Sequence, residues 1–158
     1  MYSIRSATER DLAAVGRLGA LLIRGHYEFD PERFMRPQSG DEQGYGSFLG
    51  SQLNDPDSIV LVAEHDGEVV GYVYAAVEPP SWKELRDRAG YIHDVLVAEG
   101  HRRSGMAEAL MNAAIEWLRT RGVPRVVLGT ASQNENAQRL FRRLGFRPTM
   151  IEMTKELG

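Results

Sequence analysis

The chain contains no cysteine among its 158 residues. This absence excludes disulfide bonds, thiolate zinc sites and iron–sulfur clusters. It also excludes any mechanism in which a cysteine of the protein carries a covalent intermediate. A chain of this length buries enough apolar surface to fold without such cross-links. The sequence therefore predicts a single domain over residues 1–158 and no metal site.

Long apolar runs and an excess of basic residues are also missing. No stretch is long and apolar enough to span a bilayer, and residues 1–6 lack the apolar core of a secretory signal. The 19 Lys and Arg are outnumbered by 22 Asp and Glu, and the pI is about 5.8. Because a dedicated nucleic-acid binder carries a basic excess, we expect no nucleic-acid partner. The lack of a signal and of a long apolar run predicts a cytoplasmic protein with no membrane partner.

Apolar spacing predicts an ordered series of strands and helices. Strands are predicted over residues 2–5, 58–65, 68–78, 91–97, 125–130 and 146–155. A helix begins at the capping-box pattern of Thr8 and Asp11 and ends near Gly25, and two more are predicted over 103–121 and after Asn134. Short helical pieces are expected over 32–35, 48–53 and 81–88. Helices alternating with strands in this way predict an α/β or α+β sheet domain with helices on the faces of the sheet.

Two details of the sequence predict local geometry. Asp66-Gly67 between two β-branched runs predicts a two-residue hairpin turn. Gly71 inside the second run indicates a bulge or a close backbone approach. Residues 26–57 mix aromatic and acidic side chains among glycines and prolines, which fits either a surface connection or a loop that faces a substrate.

The segment from Val95 to Ala107 joins a predicted strand to the start of a long helix. Free backbone N–H groups and the helix dipole make such a start an anion site. Arg102 and Arg103 add two permanent positive charges, Ser104 adds a hydroxyl donor, and Gly105 leaves room for a phosphate near the backbone. An ordinary solvated helix cap explains the same residues when they are considered alone.

The usual nucleotide-binding motifs are absent. The chain has no G-x-x-x-x-G-K-[ST] segment, which disfavours P-loop hydrolysis of a nucleotide. It has no G-x-G-x-x-G segment opening a βαβ unit, which disfavours a nicotinamide or flavin fold. The predicted anion site therefore belongs to another class of ligand.

Arg102-x-x-Gly105-x-Ala107 resembles the [QR]-x-x-G-x-[GA] acetyl-CoA motif of the GNAT superfamily of N-acetyltransferases. Three further segments resemble the same family in the same order: the opening residues 4–12, the hairpin over 62–72, and residues 134–146 near the C-terminus. The resemblance implies a mixed, mostly antiparallel sheet of six to seven strands flanked by about four helices.

The resemblance also implies how acetyl-CoA is bound, with no metal. In such proteins, two adjacent strands splay apart and the backbone of the fourth strand pairs with the pantetheine arm, which maps onto Val95, Leu96 and Val97. Asn134 maps onto a contact with the cofactor arm, and Phe141 onto the wall beside it. The pyrophosphate maps onto the loop residues Arg102, Arg103, Ser104, Gly105, Met106 and Ala107.

Transfer of an acetyl group to an amine requires the neutral amine, so a proton acceptor is expected. His93 is the first candidate because it lies in the predicted fourth strand and imidazole titrates near neutral pH. Strand alternation predicts His93 on one face with Tyr91 and Val95, and Asp94 on the other face. Asp94 is the competing base if that second face meets the acceptor. His26, His65 and His101 are expected on the surface.

Phe141 departs from the family pattern, in which a tyrosine at this position protonates the departing thiolate. Three consequences are open: the thiolate leaves unassisted, a hydroxyl such as Thr130 or Ser132 or a water replaces the tyrosine, or the protein binds acyl-CoA without rapid transfer. The leading hypothesis is an acetyl-CoA-dependent N-acetyltransferase that acts on an amine of a small molecule or peptide by direct transfer in a ternary complex. The alternative is a non-catalytic acyl-CoA-binding module. The family often forms dimers, so a homodimer is a further expectation.

Overall fold

The computed structural model describes residues 2–158, and its centre is a five-stranded sheet in the order β1-β2-β3-β4-β5. The first four strands pair antiparallel, and β5 joins β4 in parallel. The strands are β1 Tyr2–Ser6, β2 Ser58–His65, β3 Glu68–Glu78, β4 Ala89–Val97 and β5 Val126–Leu128. The mixed, mostly antiparallel sheet with helices on its faces confirms the predicted fold class.

Four α-helices pack on the two faces of the sheet and divide the core into two clusters. They are α1 Leu12–Phe29, α2 Asp41–Gln52, α3 Met106–Thr120 and α4 Glu135–Arg143. On one face, Leu110 and Leu118 of α3 and Phe141 of α4 pack against Ile92 of β4. On the other face, α1 and α2 cover a cluster that includes Tyr72. None of the helices in residues 2–158 has the combination of length and apolarity needed to cross a membrane.

The hairpin between β2 and β3 confirms both local predictions. Asp66 and Gly67 have φ angles of +51° and +81°, the conformation that a two-residue type I′ turn requires. The register of β2 and β3 shifts by one residue beside Gly71. A Cβ at Gly71 would lie 3.1 Å from the Leu96 carbonyl oxygen, so the glycine also permits a close approach.

The region before β2 is more helical than predicted. α1 runs past Gly25 to Phe29, and the short piece predicted over 48–53 is the end of a longer helix, α2. The helical piece predicted over 32–35 is wrong, because residues 31–34 form a turn after α1. Glycine disfavours a helix in isolation, but packing against α1 stabilises α2 despite its glycines. A Cβ at Gly46 would lie 3.0 Å from the Leu12 carbonyl oxygen, so the glycine lets α2 lie directly against α1.

The predictions for two segments, one between β3 and β4 and one after α4, are wrong. Residues 81–88 form a turn closed by a bridge between Ser81 and Arg86 rather than a helix. Residues 146–155 form no strand, so the described sheet has five strands rather than six or seven. Met150, Ile151 and Met153 are 83–90% exposed and contribute nothing to the core. A strand requires an edge to pair with, and this segment forms no backbone hydrogen bond with β5.

Candidate active site

β4 and β5 separate after three paired residues, and this separation opens a cleft. Pairing joins Gly90–Ile92 to Val126–Leu128, and β4 then continues alone on this side to Val97. Because β3 takes only the backbone groups that point the other way, residues 93–97 keep hydrogen-bonding groups at the open edge. The cleft is lined by Leu22, His26, Ile92, His93, Asp94, Val95, Leu128, Gly129, Thr130, Asn134, Ala137 and Phe141.

The loop after β4 presents positive charge at the start of α3. The side chains of Arg102 and Arg103 are exposed, and neither forms an ion pair within residues 2–158. Arg103 and Gly105 adopt left-handed φ angles of +64° and +82°, which turn the chain sharply ahead of the first free N–H groups of the helix. No atom lies within 4 Å of a Cβ built at Gly105. The predicted anion site is therefore open and positively charged.

Several side chains of the loop over residues 102–107 are already bonded or buried within the protein. Arg102 Nε donates to the Val97 carbonyl oxygen at 3.0 Å, which ties the loop to the end of β4. Ser104 Oγ donates to the His101 carbonyl oxygen at 2.6 Å. Met106 is 3% exposed and packs in the core, so only its backbone N–H is available to an anion. Ala107 is half-buried in the same first turn.

Asn134 and Phe141 reach the cleft from α4. Asn134 Oδ1 accepts a hydrogen bond of 3.2 Å from the Ala137 N–H and so begins the helix as its N-cap. Phe141 is 8% exposed and packs edge-on against Phe146. Phe141 therefore forms an apolar part of the cleft wall, which agrees with its spacing in the sequence.

A β-bulge at His93 changes the predicted faces of β4. Tyr74 pairs with Asp94, but its neighbour Ala75 pairs with Ile92, so His93 is the extra residue. Val95 packs on the α3 side with Ile92, whereas Asp94 bonds to a side chain of α2. The expectation that His93 and Asp94 lie on opposite faces is wrong, because a bulge interrupts strict alternation. Both side chains line the cleft.

His93 is held by a carboxylate and two aromatic rings. Its Nε2 lies 2.7 Å from Glu78 Oε1 on β3. Its ring stacks on Tyr91 and Tyr74, with centroid separations of 4.5 and 4.9 Å. A carboxylate on one ring nitrogen orients the imidazole, which is the arrangement of a base with an orienting partner.

Asp94 is held by a chain of phenols from the other side of the sheet. Tyr45 of α2 donates its hydroxyl to Asp94 Oδ2, and Tyr72 of β3 donates to the Tyr45 oxygen at 2.9 Å. Burial is the largest cause that raises the pKa of Tyr45 and of Tyr72, and the Asp94 carboxylate raises both further. Both phenols therefore stay protonated and act as donors to Asp94.

Three residues of this site were missed or placed wrongly from sequence. Glu78 and Tyr45 are distant along the chain from His93 and Asp94, and no spacing connects them. His26 was expected on the surface, but it lines the cleft because α1 extends beyond Gly25. The one signal for His26 and Tyr45 was the aromatic and acidic composition of 26–57, which kept a substrate-facing segment among the alternatives. No signal in the sequence marked Glu78.

Comparison with known proteins identifies the fold family. The model of the acetyltransferase (GNAT) family matches residues 21–146. The chain belongs to the GNAT family. An uncharacterized N-acetyltransferase of Bacillus subtilis, YhfO, is 28% identical over 145 residues, which cover 91% of this chain and 89% of that protein. The GNAT assignment and this relative support acetyl transfer to an amine as the activity, and nothing in the comparisons supports a non-catalytic module.

Solved structures share the GNAT fold over nearly the whole chain. A mutant of the BH1408 protein of Bacillus halodurans has a TM-score of 0.84 at 22% identity, covering 98% of this chain and 99% of that one. The aminoglycoside acetyltransferase AAC(6′)-Iy, solved with a bisubstrate analogue that contains CoA, has a TM-score of 0.73 at 17% identity. It covers 99% of this chain and 97% of that one. At these identities the likeness establishes the fold.

Proposed function

We propose that acetyl-CoA is the acetyl donor and that it lies along the open edge of β4. The observation that carries the proposal is the edge of β4 that β5 leaves open after Ile92. This edge leads to the N-terminus of α3 and to Arg102 and Arg103, neither of which forms an ion pair in residues 2–158. A chain of amides such as pantetheine can pair with the open edge of β4. A pyrophosphate can bind the N-terminus of α3 and its arginines. Asn134 and Phe141 flank the same cleft.

The dimensions of the cleft support this arrangement. Its volume is about 80 Å³, whereas a pocket that encloses a drug-sized ligand holds roughly 300–1,000 Å³. Only the reacting end of the cofactor fits inside. The nucleotide end therefore lies on the surface, where the loop of Arg102 and Arg103 is exposed.

We propose direct transfer in a ternary complex, with His93 as the base and Glu78 as its orienting partner. An alkylammonium with a pKa near 10.4 costs roughly 4–5 kcal/mol to deprotonate at pH 7, and a positioned base contributes about 10²–10⁴-fold in rate. His93 removes the proton from the acceptor nitrogen, which then attacks the thioester carbonyl. Backbone N–H groups at the open edge of β4 polarise that carbonyl. Asp94 remains the alternative base, since it lines the same cleft.

The proposed acceptor is an amine on a small molecule or a peptide. It enters between α1 and β4, where Leu22 and His26 face His93 and Asp94. The two carboxylates near this entrance, Glu78 and Asp94, form no ion pair with Lys or Arg in residues 2–158. Glu78 contacts His93, whereas Asp94 contacts the neutral Tyr45 hydroxyl. A carboxylate that no Lys or Arg neutralises favours a cationic acceptor over an anionic one.

We further propose a homodimer in which the C-terminal segment of one copy contacts the other. Residues 147–158 are all exposed, and the segment carries Met150, Ile151 and Met153 outward. The side chain that fixes it to the rest of the chain is Glu152, which is bonded to Arg33. β5 offers an unpaired edge on the same chain. In a dimer, the exposed apolar segment of one copy can pack against the free β5 edge of the other, and the reverse.

The cofactor site is tested by the substitution Gly105→Glu, with Gly122→Glu as its matched control. Both glycines have left-handed φ angles, +82° and +74°, and open space around them, so the backbone strain is the same. Gly105 precedes α3, and Gly122 follows it. We expect Gly105→Glu to weaken acetyl-CoA binding in calorimetry by at least 10-fold, because it places bulk and negative charge at the anion site. Unchanged affinity in Gly105→Glu, or equal losses in both variants, would contradict the site.

Release of CoA thiol from acetyl-CoA, measured with a panel of amines, tests the reaction itself. We expect thiol release that depends on an amine, and kinetics without an isolable acetyl-enzyme. Tight binding of acetyl-CoA with no turnover for any amine would favour the non-catalytic module.

A further inference from the structure

His26 occupies the side of the cleft that faces β4. It lies in the last turn of α1 and is half-buried. The same cleft is lined by His93 from β4, Thr130 after β5 and Phe141 from α4. Three separate elements therefore bring their side chains to the space that His26 enters.

The hydrogen bond of His26 fixes which nitrogen is available for chemistry. Its Nδ1 lies 2.9 Å from the Leu22 carbonyl oxygen. A carbonyl oxygen only accepts, so Nδ1 carries a proton and donates it. Nε2 has no hydrogen-bond partner within residues 2–158. A second proton, when the ring holds one, is therefore on Nε2.

The ring of His26 is also held in place. Phe29 and Phe34 contact it edge-on, with centroid separations of 5.9 and 5.0 Å and interplanar angles of 88° and 71°. The two aromatic contacts and the bond to Leu22 restrict the side-chain rotamer. A proton donor that is already oriented loses little entropy when it reacts.

Acetyl transfer from a thioester needs such a donor. As the carbon–sulfur bond breaks, the sulfur leaves as a thiolate unless a proton reaches it. Phe141 on the cleft wall has no proton to give. A threonine hydroxyl such as that of Thr130 is a weaker acid than a thiol, and Ser132 already donates to Gln133 Oε1 at 3.0 Å. An imidazolium is a stronger acid than a thiol by about two pKa units, so its transfer of a proton to a thiolate is downhill.

We propose that His26 is the residue that protonates the departing thiolate, an assignment that rests on the proposed acetyl transfer. The neutral acceptor nitrogen, whose first proton His93 has already passed to solvent, forms a bond to the carbonyl carbon and gives a second proton to His93. The carbon–sulfur bond breaks, and the sulfur takes the Nε2 proton of His26. The products are an amide and a thiol, and the two histidines return to their starting states by exchange with solvent.

The charged and titratable groups around His26 come from three directions. His93 and Asp94 face it from β4. Asp30 closes α1 with a backbone bond to the His26 carbonyl, and the following turn carries Arg33, which is paired with Glu152. The Asp30 carboxylate accepts from the Glu32 N–H, and Arg33 is already paired with Glu152.

The test compares His26→Gln with the wild-type enzyme over a range of pH. Glutamine can still donate to the Leu22 carbonyl but cannot supply an acidic proton. We expect kcat to fall by about 10²-fold, the alkaline decline of the kcat profile to disappear, and the Kd of acetyl-CoA to stay within about twofold of wild type. Added imidazole should restore part of kcat in His26→Ala. His65→Gln, a histidine on β2 outside the cleft, is the control and should retain the wild-type profile.

Each outcome has a distinct meaning. Wild-type kcat and an intact alkaline decline in His26→Gln would overturn the assignment of His26 and leave the proposed acetyl transfer standing. A reduced kcat with an unchanged pH profile and no rescue by imidazole would also overturn it, since that result indicates a packing role. A wild-type protein that acetylates no amine overturns the proposed function, and the assignment with it.

Discussion

At the residue scale, one inserted residue in β4 decides which side chains face the acceptor. Strict alternation would place His93 and Asp94 on opposite faces, but the bulge lets both line the cleft. Their partners also differ, since His93 contacts Glu78 and Asp94 accepts from Tyr45. The two candidate bases therefore compete for the same amine, and kinetics must separate them.

The substitution His93→Gln tests the proposed base. We expect kcat to fall by about 10²–10⁴-fold and its acidic decline, which reports the base in its protonated form, to disappear. Glu78→Gln keeps a hydrogen-bonding group but removes the carboxylate that orients His93, so a smaller loss is expected. Calorimetry should show acetyl-CoA affinity unchanged in both. An acidic decline that persists in His93→Gln and disappears in Asp94→Asn would assign the base to Asp94.

At the element scale, glycines set how closely α1 and α2 pack. A Cβ at Gly19 would overlap the ring of Tyr45, whereas a Cβ at Gly25 on the same helix meets nothing within 4 Å. The absence of a side chain at Gly19 thus keeps Tyr45 in position to bond Asp94. Helix propensity alone does not distinguish these two glycines.

Gly19→Ala should destabilise the protein by about 1–3 kcal/mol, the usual cost of overpacking a core. It should also lower kcat, because Tyr45 must move away from Asp94. Gly25→Ala is the matched control and should be neutral or up to about 1 kcal/mol stabilising. Urea denaturation of both variants measures the difference. Equal stability in the two would refute the packing argument.

The junction of β1, β2 and α1 contains a partly buried ion pair between Arg5 and Asp11. Arg5 donates to Asp11 at 2.8 and 2.9 Å and to Glu64 at 3.0 Å, and Asp11 also accepts from the Thr8 N–H. The hydrogen bond from Arg5 is the main reason that the pKa of Asp11 falls to about 2, and the Thr8 N–H lowers it further. Because the folded-state pKa lies below the unfolded value near 3.8, the stabilisation is present above about pH 4.

Asp11→Asn should therefore lower the free energy of unfolding by about 2 kcal/mol at pH 7. The difference from wild type should shrink as pH falls from about 4 towards 2, since the carboxylate of the folded wild-type protein is protonated there. Urea denaturation at pH 7, 4 and 2.5 measures it. A difference that stays constant over this range would show that charge is not its cause.

At the scale of the whole molecule, the C-terminal segment tests the proposed homodimer. Light scattering during gel filtration should give twice the chain mass of 17.7 kDa. Replacing Met150 and Ile151 by Asp should give the monomer mass, because charge would enter the apolar contact. Leu85→Asp is the control, since Leu85 is 90% exposed but lies in the β3–β4 loop. A monomeric wild-type protein, or a double variant that stays dimeric, would refute the proposal.

The sequence by itself determined the features that depend on neighbours along the chain. The Asp66-Gly67 turn and the Asn134 cap need only a few consecutive residues. The motif from Arg102 to Ala107 likewise combines charge, glycine and a helix start within one short segment. Local backbone preference is sufficient to specify each of these. For that reason the family was predictable, whereas the role of this loop in binding the donor remains a prediction. The single-domain boundary and the cytoplasmic location remain predictions.

Only the tertiary structure decided which distant residues meet in the cleft. The bulge at His93 arises from pairing with β3, and the entry of His26 from the packing of α1 across β4. The partners Glu78 and Tyr45 are 15 and 49 residues away from the side chains that they hold. The missing sixth strand has the same origin, since a strand forms only where an edge pairs with it. Contacts across such separations leave no spacing in the sequence, because they depend on how whole elements pack.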